Sequence, residues 1–362
     1  MHIAILTNDH AWTYNLRKEL IESFLEQGHQ VTLVLPYGEK IEYFKQIGCK
    51  FEDFPFEGLG TNITKELLLP EKYKNVIKKI KPDAVLTYTT KPNIYGAMAC
   101  ASLNIPYIIT ITGTGRAMIS GLSKKLMSFL YRISSRKAFA IMFQNEENLQ
   151  MFKNNKIYKG NCVLVPGSGV NTDYHKLCEY PCDDITKFLF IGRLNGVKRI
   201  EDFIQAAKRI KQTYKDTEFH VAGSPENEHY KELIDKAHND GIVTYHGTLK
   251  DVREIIKKCH CSVLPSLNEG MANVLLESAS AGRTLITTNT AGCRETLNDG
   301  ETGFLFEPLN VDELYSKMET FINMSYEDKK NMGLKGREKM VKEFDRRIVA
   351  EKYIEILNKT QG

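Results

Sequence analysis

The residue types best suited to chemistry gather in the second half of the chain. In NEGMANVLLESASAG, residues 268–282, Glu269 and Glu277 stand with seven residues between them in small and apolar surroundings. The pattern predicts a helix beginning near Met271, with Glu269 just ahead of it and Glu277 in its second turn. The backbone N–H groups of Gly270, Met271, Ala272 and Asn273 would then point out of the helix N-terminus, a place that favours anions. A carboxylate on such a helix needs partners, because a buried unpaired charge is costly. A sugar diol supplies two donors; a nearby Arg or Lys, or plain solvation of Glu269, would serve as well. Upstream, IGRLNGVKR ends a strand at Gly192 and Arg193 and presents Lys198 after a short turn. A guanidinium and an ammonium at a strand end, facing a helix N-terminus, suit a diphosphate, with surface charge as the alternative.

Those residues need a scaffold, and the hydropathy pattern describes one. Short apolar or β-branched runs (HIAILT, QVTLVLP, AVLTYT, IPYIITIT, AFAIMFQN, CVLVPGS) alternate with amphipathic runs near 14–27, 39–47, 121–136 and 146–153. Residues 166–184, PGSGVNTDYHKLCEYPCDD, interrupt the pattern with Gly, Pro and Asp. A second series follows: KFLFIGRL, EFHVAGS, VTYHG, CSVLP and TLITTN, with helices between. The alternation predicts an α/β protein with two Rossmann-like domains facing a central cleft, ligands lying beyond the carboxyl ends of the strands. The expected layout is an N-terminal domain over 1–170, a linker over 171–183, a C-terminal domain over 184–344, and a last helix from 345 to 362.

Composition narrows the classes. A length of 362 residues suits two cores better than one, and 42% apolar with 26% charged residues is ordinary for a globular protein. The opening MHIAILTND reads as a strand rather than an export signal, and no apolar run approaches the roughly 18 residues of a membrane span. The expectation is a cytoplasmic protein. Eight cysteines lack the two-residue spacing of structural zinc sites, and Cys259-His260-Cys261 has no partner ligands nearby in sequence. The Gly-x-Gly-x-x-Gly fingerprint, the Walker lysine loop and an Asp-x-Asp metal bridge are all absent, so the chemistry is expected to need no metal and no cofactor. Charge is uneven: residues 1–180 carry 22 basic and 16 acidic groups, and residues 84–145 carry seven basic groups and no acid.

GRLNGVKR, VAGSPE, HGTLKDV, SVLPSLNEGMANVLLESASAG and AGCRETLNDGETGFLF together resemble, in order and spacing, the donor half of the retaining glycosyltransferases of family four, with the GT-B fold. YTTKPNIYGAMACASLNIPYIITITGTG and EKMVKEFDRRIVAEKYIEIL extend the resemblance to the bacterial branch that builds lipid-linked or capsular glycans. Within that branch it looks nearest to N-acetylgalactosaminyl and galactosyl transferases acting on undecaprenyl-diphosphate sugars. The resemblance implies a hexose or N-acetylhexosamine moved from a UDP-sugar to a polyprenyl-diphosphate-linked or glycan acceptor. Arg193 and Lys198 would hold the donor diphosphate, Glu269 the donor sugar, Glu277 the ribose, and the N–H groups of 270–273 the sugar and distal phosphate. Arg193, Lys198 and Glu269 would be catalytic, and Gly192 would line the donor site. Asn8, His10, Tyr14, Arg17, Lys91, Thr112 and Arg116 would meet the acceptor, and the last helix would cross back to the first domain. The alternatives are a GT-B nucleotide-sugar epimerase or phosphorylase, or a non-catalytic nucleotide-sugar-binding subunit.

The chain departs from the family pattern in three places. Asn8, Asp9 and His10 stand where relatives carry a Gly-Gly pair, and Thr112-Gly113-Thr114-Gly115 stands where many have His before Gly. Lys198-Arg199 replaces the usual Lys-Gly. His10 is either a substitute polar contact or a surface loop residue. Finally, GLSKKLMSFLYRISSRKAF, residues 121–139, pairs apolar Leu122, Leu126, Phe129, Leu130 and Ile133 with Lys124, Lys125, Arg132 and Arg136. That is an amphipathic cationic helix, either a core helix with a solvated basic face or a peripheral contact with the anionic inner face of the cell membrane. No binding motif or aromatic platform for nucleic acid accompanies it.

Overall fold

A computed structural model describes residues 1–55, 63–113, 121–182 and 184–361, and every count below is of these described residues. Arg116 and the Thr114-Gly115 pair lie outside them. The chain divides into two compact units: Met1–Gly169 with Arg346–Gly362, and Val170–Asp345.

The first unit is built on a parallel sheet of order β3-β2-β1-β4-β5-β6-β7. Its strands are β1 (His2–Leu6), β2 (Gln30–Leu35), β3 (Lys50–Asp53), β4 (Ala84–Tyr88), β5 (Tyr107–Ile111), β6 (Ala140–Phe143) and β7 (Cys162–Leu164). Its helices are α1 (His10–Glu26), α2 (Ile41–Gln46), α3 (Ile63–Ile80), α4 (Ala97–Leu103), α5 (Gly121–Ser135) and α6 (Glu146–Asn154), with a π-helical turn at Pro92–Gly96 leading into α4. Alternation along the strands sends Ile3 and Ile5 into one core and Ala4 and Leu6 into another on the opposite face. Both faces are covered over the middle of the sheet, which is why the strands inside it read as unbroken apolar runs, whereas the edge strand β3, KFED, does not.

The second unit has the order β10-β9-β8-β11-β12-β13, again parallel. Its strands are β8 (Thr186–Ile191), β9 (Thr217–Ala222), β10 (Thr244–Tyr245), β11 (Cys261–Leu264), β12 (Thr284–Thr288) and β13 (Gly303–Phe306). Helices α7 (Ile200–Thr213), α8 (Glu228–Asn239), α9 (Arg253–Lys258), α10 (Asn273–Ser280), α11 (Val311–Asn323) and α12 (Tyr326–Lys339) accompany them, and a π-helical turn at Met340–Phe344 follows.

Helix α13 (Arg346–Asn358) belongs to the first unit, where Val349, Ala350, Tyr353, Ile356 and Leu357 join the same core as Ile3 and Ile5. Tyr353 is fully buried, and its hydroxyl lies 2.7 Å from Thr110 Oγ1 on β5. Arg346 pairs with Glu19 of α1 and donates to the Asn15 carbonyl at 2.7 Å, which fixes the start of α13.

The expected linker is displaced. The first boundary falls at Gly169/Val170, and residues 171–183 count into the second unit. Arg337 donates to the His175 carbonyl at 2.9 Å and the Thr172 carbonyl at 3.0 Å, while buried Arg283 donates to the Glu179 carbonyl at 2.6 Å. A segment without periodicity is thus held through its backbone carbonyls, a device that leaves no hydropathy signal.

Candidate donor site at the carboxyl ends of the second sheet

In the second sheet the strand order reverses between β8 and β11, and open α/β sheets bind ligands beyond the carboxyl ends of strands at such a point. The loop after β8 carries Gly192, Arg193 and Lys198. It is shaped by Asn195, which is 5% exposed and whose Oδ1 accepts the backbone N–H groups of Val197 at 3.2 Å and Lys198 at 2.9 Å. Asn side chains commonly substitute for backbone in such turns. Gly192 donates to the Ala222 carbonyl at 3.0 Å, and a Cβ on Gly223 would stand 1.8 Å from the Gly192 oxygen. The first loop can therefore lie against the second only because residue 223 has no side chain.

The loop after β11 meets the loop after β8 directly. Leu267 N–H donates to the Val197 carbonyl at 2.9 Å, and Ser266 Oγ lies 3.3 Å from the same oxygen. Glu269 thereby sits beside Lys198: the ammonium pairs with Glu269 Oε1, which also accepts from Ser266 Oγ at 2.7 Å. The two side chains are only 23% and 11% exposed, so the pair is shielded more than a surface bridge would be. The sequence left the partner of each carboxylate open; for Glu269 it includes Lys198. Arg193 projects further, 56% exposed, with Nη1 3.9 Å from Glu226 on the loop after β9.

Helix α10 begins at Asn273, two residues later than the pattern predicts. Of the four N–H groups expected to point outward, two are already used: Ala272 donates to the Gly292 carbonyl at 2.8 Å and Asn273 to the Met271 carbonyl at 3.0 Å. This corrects the expected contacts of Ala272 and Asn273, because a donor engaged by a carbonyl is not an anion donor. Asn273 instead presents a buried Oδ1 with no protein partner. Met271 is buried and Gly270 half-buried, and Glu277 stands half-buried one turn into α10, as expected.

Gly292 is a determinant that the sequence reading did not single out. It has φ +79°, and a Cβ there would stand 2.6 Å from the Glu269 carbonyl oxygen and 2.7 Å from the Glu269 Cβ. Its N–H donates to Glu295 Oε2 at 2.7 Å, locking the AGCRE turn under Glu269. The neighbouring Cys293 is fully buried, and burial, reinforced by the Glu269 charge, raises its thiol to about 11. It is no nucleophile at neutral pH. Among the described residues no group of three or more His, Cys, Asp or Glu is arranged to hold a metal.

Arg199, in the place of the family glycine, takes a left-handed conformation with φ +54° and ψ +49°. Its guanidinium pairs with Asp202, Nε to Oδ2 at 2.9 Å and Nη2 to Oδ1 at 2.5 Å, which raises the arginine pKa and offsets the backbone cost.

In the first unit, the expected acceptor residues divide. Asn8 is exposed beyond β1, and Thr112 is half-buried beyond β5. His10 is not a loop residue but the first residue of α1, behind the N-cap Asp9, whose carboxylate accepts from Trp12 N–H at 2.7 Å. Lys91 pairs with Glu66 at 2.6 Å. Arg17 is 6% exposed, lies 4.4 Å from the Tyr88 ring centroid and donates to Ser168 Oγ at 2.9 Å. Tyr14 packs edge-on against Tyr43 and Phe44, at 5.1 and 6.1 Å between centroids. Arg17 and Tyr14 thus help to hold α1 in place.

Helix α5 is turned differently from expectation. Tyr131, Ser134 and Ser135 are buried and Met127 and Leu130 pack on the core, while Leu126, Phe129 and Ile133 are 58%, 53% and 45% exposed. These three share the outer side with exposed Lys125 and Arg136, and Lys124 is half-buried. Arg132, though exposed, donates to the Asn155 and Lys156 carbonyls at 3.1 and 3.3 Å, closing the end of α6. No helix among the described residues is long and apolar enough to cross a membrane.

Comparison with known proteins agrees with this geometry. The glycosyl transferases group 1 model matches residues 183–339 and the glycosyl transferase 4-like model residues 2–145. The N,N'-diacetylbacillosaminyl-diphospho-undecaprenol alpha-1,3-N-acetylgalactosaminyltransferase of Campylobacter jejuni is 24% identical, covering 99% of each chain. The capsular polysaccharide biosynthesis glycosyltransferase CapM of Staphylococcus aureus is 24% identical over 81% of this chain and 83% of its own. A glycosyltransferase structure from Rickettsia africae superposes with a TM-score of 0.81 at 16% identity, covering 99% and 98% of the two chains. Anabaena HepE in complex with UDP and glucose superposes at 0.79 and 15%, covering 98% and 99%. The chain belongs to the glycosyltransferases, joining a glycosyl transferase 4-like half to a group 1 half in the GT-B fold.

Proposed function

We propose that this glycosyltransferase moves a hexose or N-acetylhexosamine from a UDP-sugar, with retention of anomeric configuration and without a metal, onto a polyprenyl-diphosphate-linked or glycan acceptor in bacterial surface glycan synthesis. The observation that carries the donor reading is the contact of Glu269 with both Lys198 and Ser266 where the loops after β8 and β11 are tied together. A cation and a sugar-binding carboxylate set side by side match a sugar diphosphate, whose charge and hydroxyls lie equally close. Arg193 and Lys198 are the catalytic cations: as the glycosidic bond to the diphosphate breaks, negative charge grows on the leaving oxygen, and they stabilise it. The departing phosphate takes the proton of the incoming hydroxyl. Glu269 holds donor hydroxyls, Glu277 the ribose, and the second unit supplies orientation.

The chemistry of the C. jejuni and S. aureus relatives supports a lipid-linked or capsular acceptor, and the UDP in Anabaena HepE supports the nucleotide. The exposed side of α5, with three apolar residues beside Lys125 and Arg136, supports peripheral contact with anionic lipid on the cytoplasmic face. The test is the stereochemistry of the product. With each of a panel of UDP-sugars, an undecaprenyl-diphosphate-linked sugar acceptor and a chelator, proton NMR of the product should show the α-anomer. A β-linked product, or transfer that stops in the chelator, contradicts the reading.

A further inference from the structure

The candidate donor site of the second unit holds two cations, and each has an acid beside it. Lys198 pairs with Glu269, which the donor reading already uses; Arg193 has Glu226, which it does not. Backbone pairing carries Glu226 there. Past the ends of β8 and β9 the two chains go on bonding: Leu194 N–H donates to the Ser224 carbonyl at 2.9 Å, Glu226 N–H donates to the Leu194 carbonyl at 3.0 Å, and Leu194 bridges Pro225 in parallel register. Glu226 Oε1 then lies 3.9 Å from Arg193 Nη1 and accepts from Asn195 Nδ2 at 3.4 Å. Asn195 is the residue whose Oδ1 shapes the same loop through the N–H groups of Val197 and Lys198. Among the described residues, neither Arg193 nor Glu226 has another partner of opposite charge. With side chains 56% and 36% exposed, the pair adds little to stability, so holding the fold together does not explain a carboxylate at this place.

We propose that Glu226 is a positioning residue that competes with the nucleoside diphosphate for Arg193 and so speeds the departure of the spent nucleotide. The proposal rests on the donor reading above and deepens it. Two cations face two carboxylates in the empty site, so a diphosphate that engages the cations must displace their acids. Transfer of the sugar leaves free UDP, whose terminal phosphate has gained an ionisable oxygen, and the product therefore holds Arg193 harder than the nucleotide sugar does. A carboxylate fixed close to the guanidinium raises the energy of both complexes, and of the more highly charged product more. Glu226 takes Arg193 back as UDP leaves. Glu269 is a poor probe of this effect, because in the proposed mechanism its carboxylate also holds the sugar. Glu226 has no such second role there.

Glu226→Gln makes the test direct, because glutamine keeps an oxygen for Asn195 and removes only the charge. The full-length protein is titrated by calorimetry with UDP and with uridine, at low and at high salt. UDP should bind Glu226→Gln roughly 3- to 10-fold more tightly than wild type, uridine should bind both within about twofold, and the gain should shrink as salt rises. In transfer assays, inhibition by UDP should strengthen by the same factor while the KM for the nucleotide sugar falls less. Glu226→Asp, which keeps the charge, should stay within about twofold of wild type. In an Arg193→Gln background the gain from Glu226→Gln should largely vanish, as it must for a coupled pair. UDP binding unchanged or weakened in Glu226→Gln, uridine tightened in equal proportion, or a gain undiminished without Arg193 overturns the proposal. Wild-type protein that binds UDP no more tightly than uridine would instead remove the donor reading on which the proposal rests.

Discussion

Lys198 pairs with Glu269, and in the proposed mechanism its charge also serves the donor diphosphate, which sets what its removal does. Lys198→Ala should lower kcat on the order of 100- to 1,000-fold, the loss seen when one donor to developing negative charge is deleted. The donor KM should rise less, because Arg193 remains. Glu269→Ala should behave differently: it frees Lys198, so UDP itself should bind as well or better while turnover falls, and calorimetry with UDP beside steady-state kinetics separates the two. Gly292→Ala acts on the same carboxylate from behind. The new Cβ meets the Glu269 backbone at 2.6 Å in a left-handed turn, so a loss of about 1–3 kcal/mol in urea unfolding is expected, with weaker donor binding. At this scale Glu269, Lys198 and Arg193 were legible in the sequence because charge in an apolar or glycine-rich setting is visible there. The engagement of Ala272 and Asn273 N–H was not, because it depends on where the Gly292 carbonyl arrives from a distant turn.

Among the elements, α13 is the least negotiable. Its apolar side fills the core beneath β1 and β2, so Tyr353→Ala should destabilise on the order of 3 kcal/mol, and Tyr353→Phe, which loses only the contact with Thr110, about 1 kcal/mol. A second element-level effect lies at the β9/β10 edge, where His220 Nδ1 is 3.1 Å from His246 Nε2 and His220 Nε2 is 3.3 Å from Glu218. Burial lowers both histidines below their ordinary value, and His246 lowers His220 further. The unfolded chain therefore takes up protons first as pH falls, so stability is full above about pH 6.5 and declines below it. The urea midpoint should drop between pH 7 and 5.5, and His246→Gln should flatten that slope. Most strands of both sheets were readable as apolar runs, though not the charged β3, KFED, whose end residues are exposed, and the C-terminal helix was readable as a 3.6-residue pattern. Helix α3 was not, since Pro70 sits inside it, and neither was the four-residue β13, which has too few positions to show a period.

For the molecule as a whole, two units with separate cores predict more than one calorimetric transition. UDP should raise only the transition of the unit that contains Lys198 and Glu269, since a ligand stabilises the structure it binds by mass action. The chain's +4 charge hides a first half with excess basic residues, and the membrane contact proposed for it should therefore weaken with salt. All of this hangs on acceptor-dependent transfer from a UDP-sugar. The most direct measurement is UDP release by the purified protein across a panel of UDP-sugars, with and without an undecaprenyl-diphosphate-linked sugar, with mass spectrometry of the lipid. The account predicts release with one donor that requires the acceptor, a lipid product heavier by one sugar residue, and collapse of both in Lys198→Ala. UDP that binds but is never released from any UDP-sugar, or release that leaves the lipid mass unchanged, would contradict it.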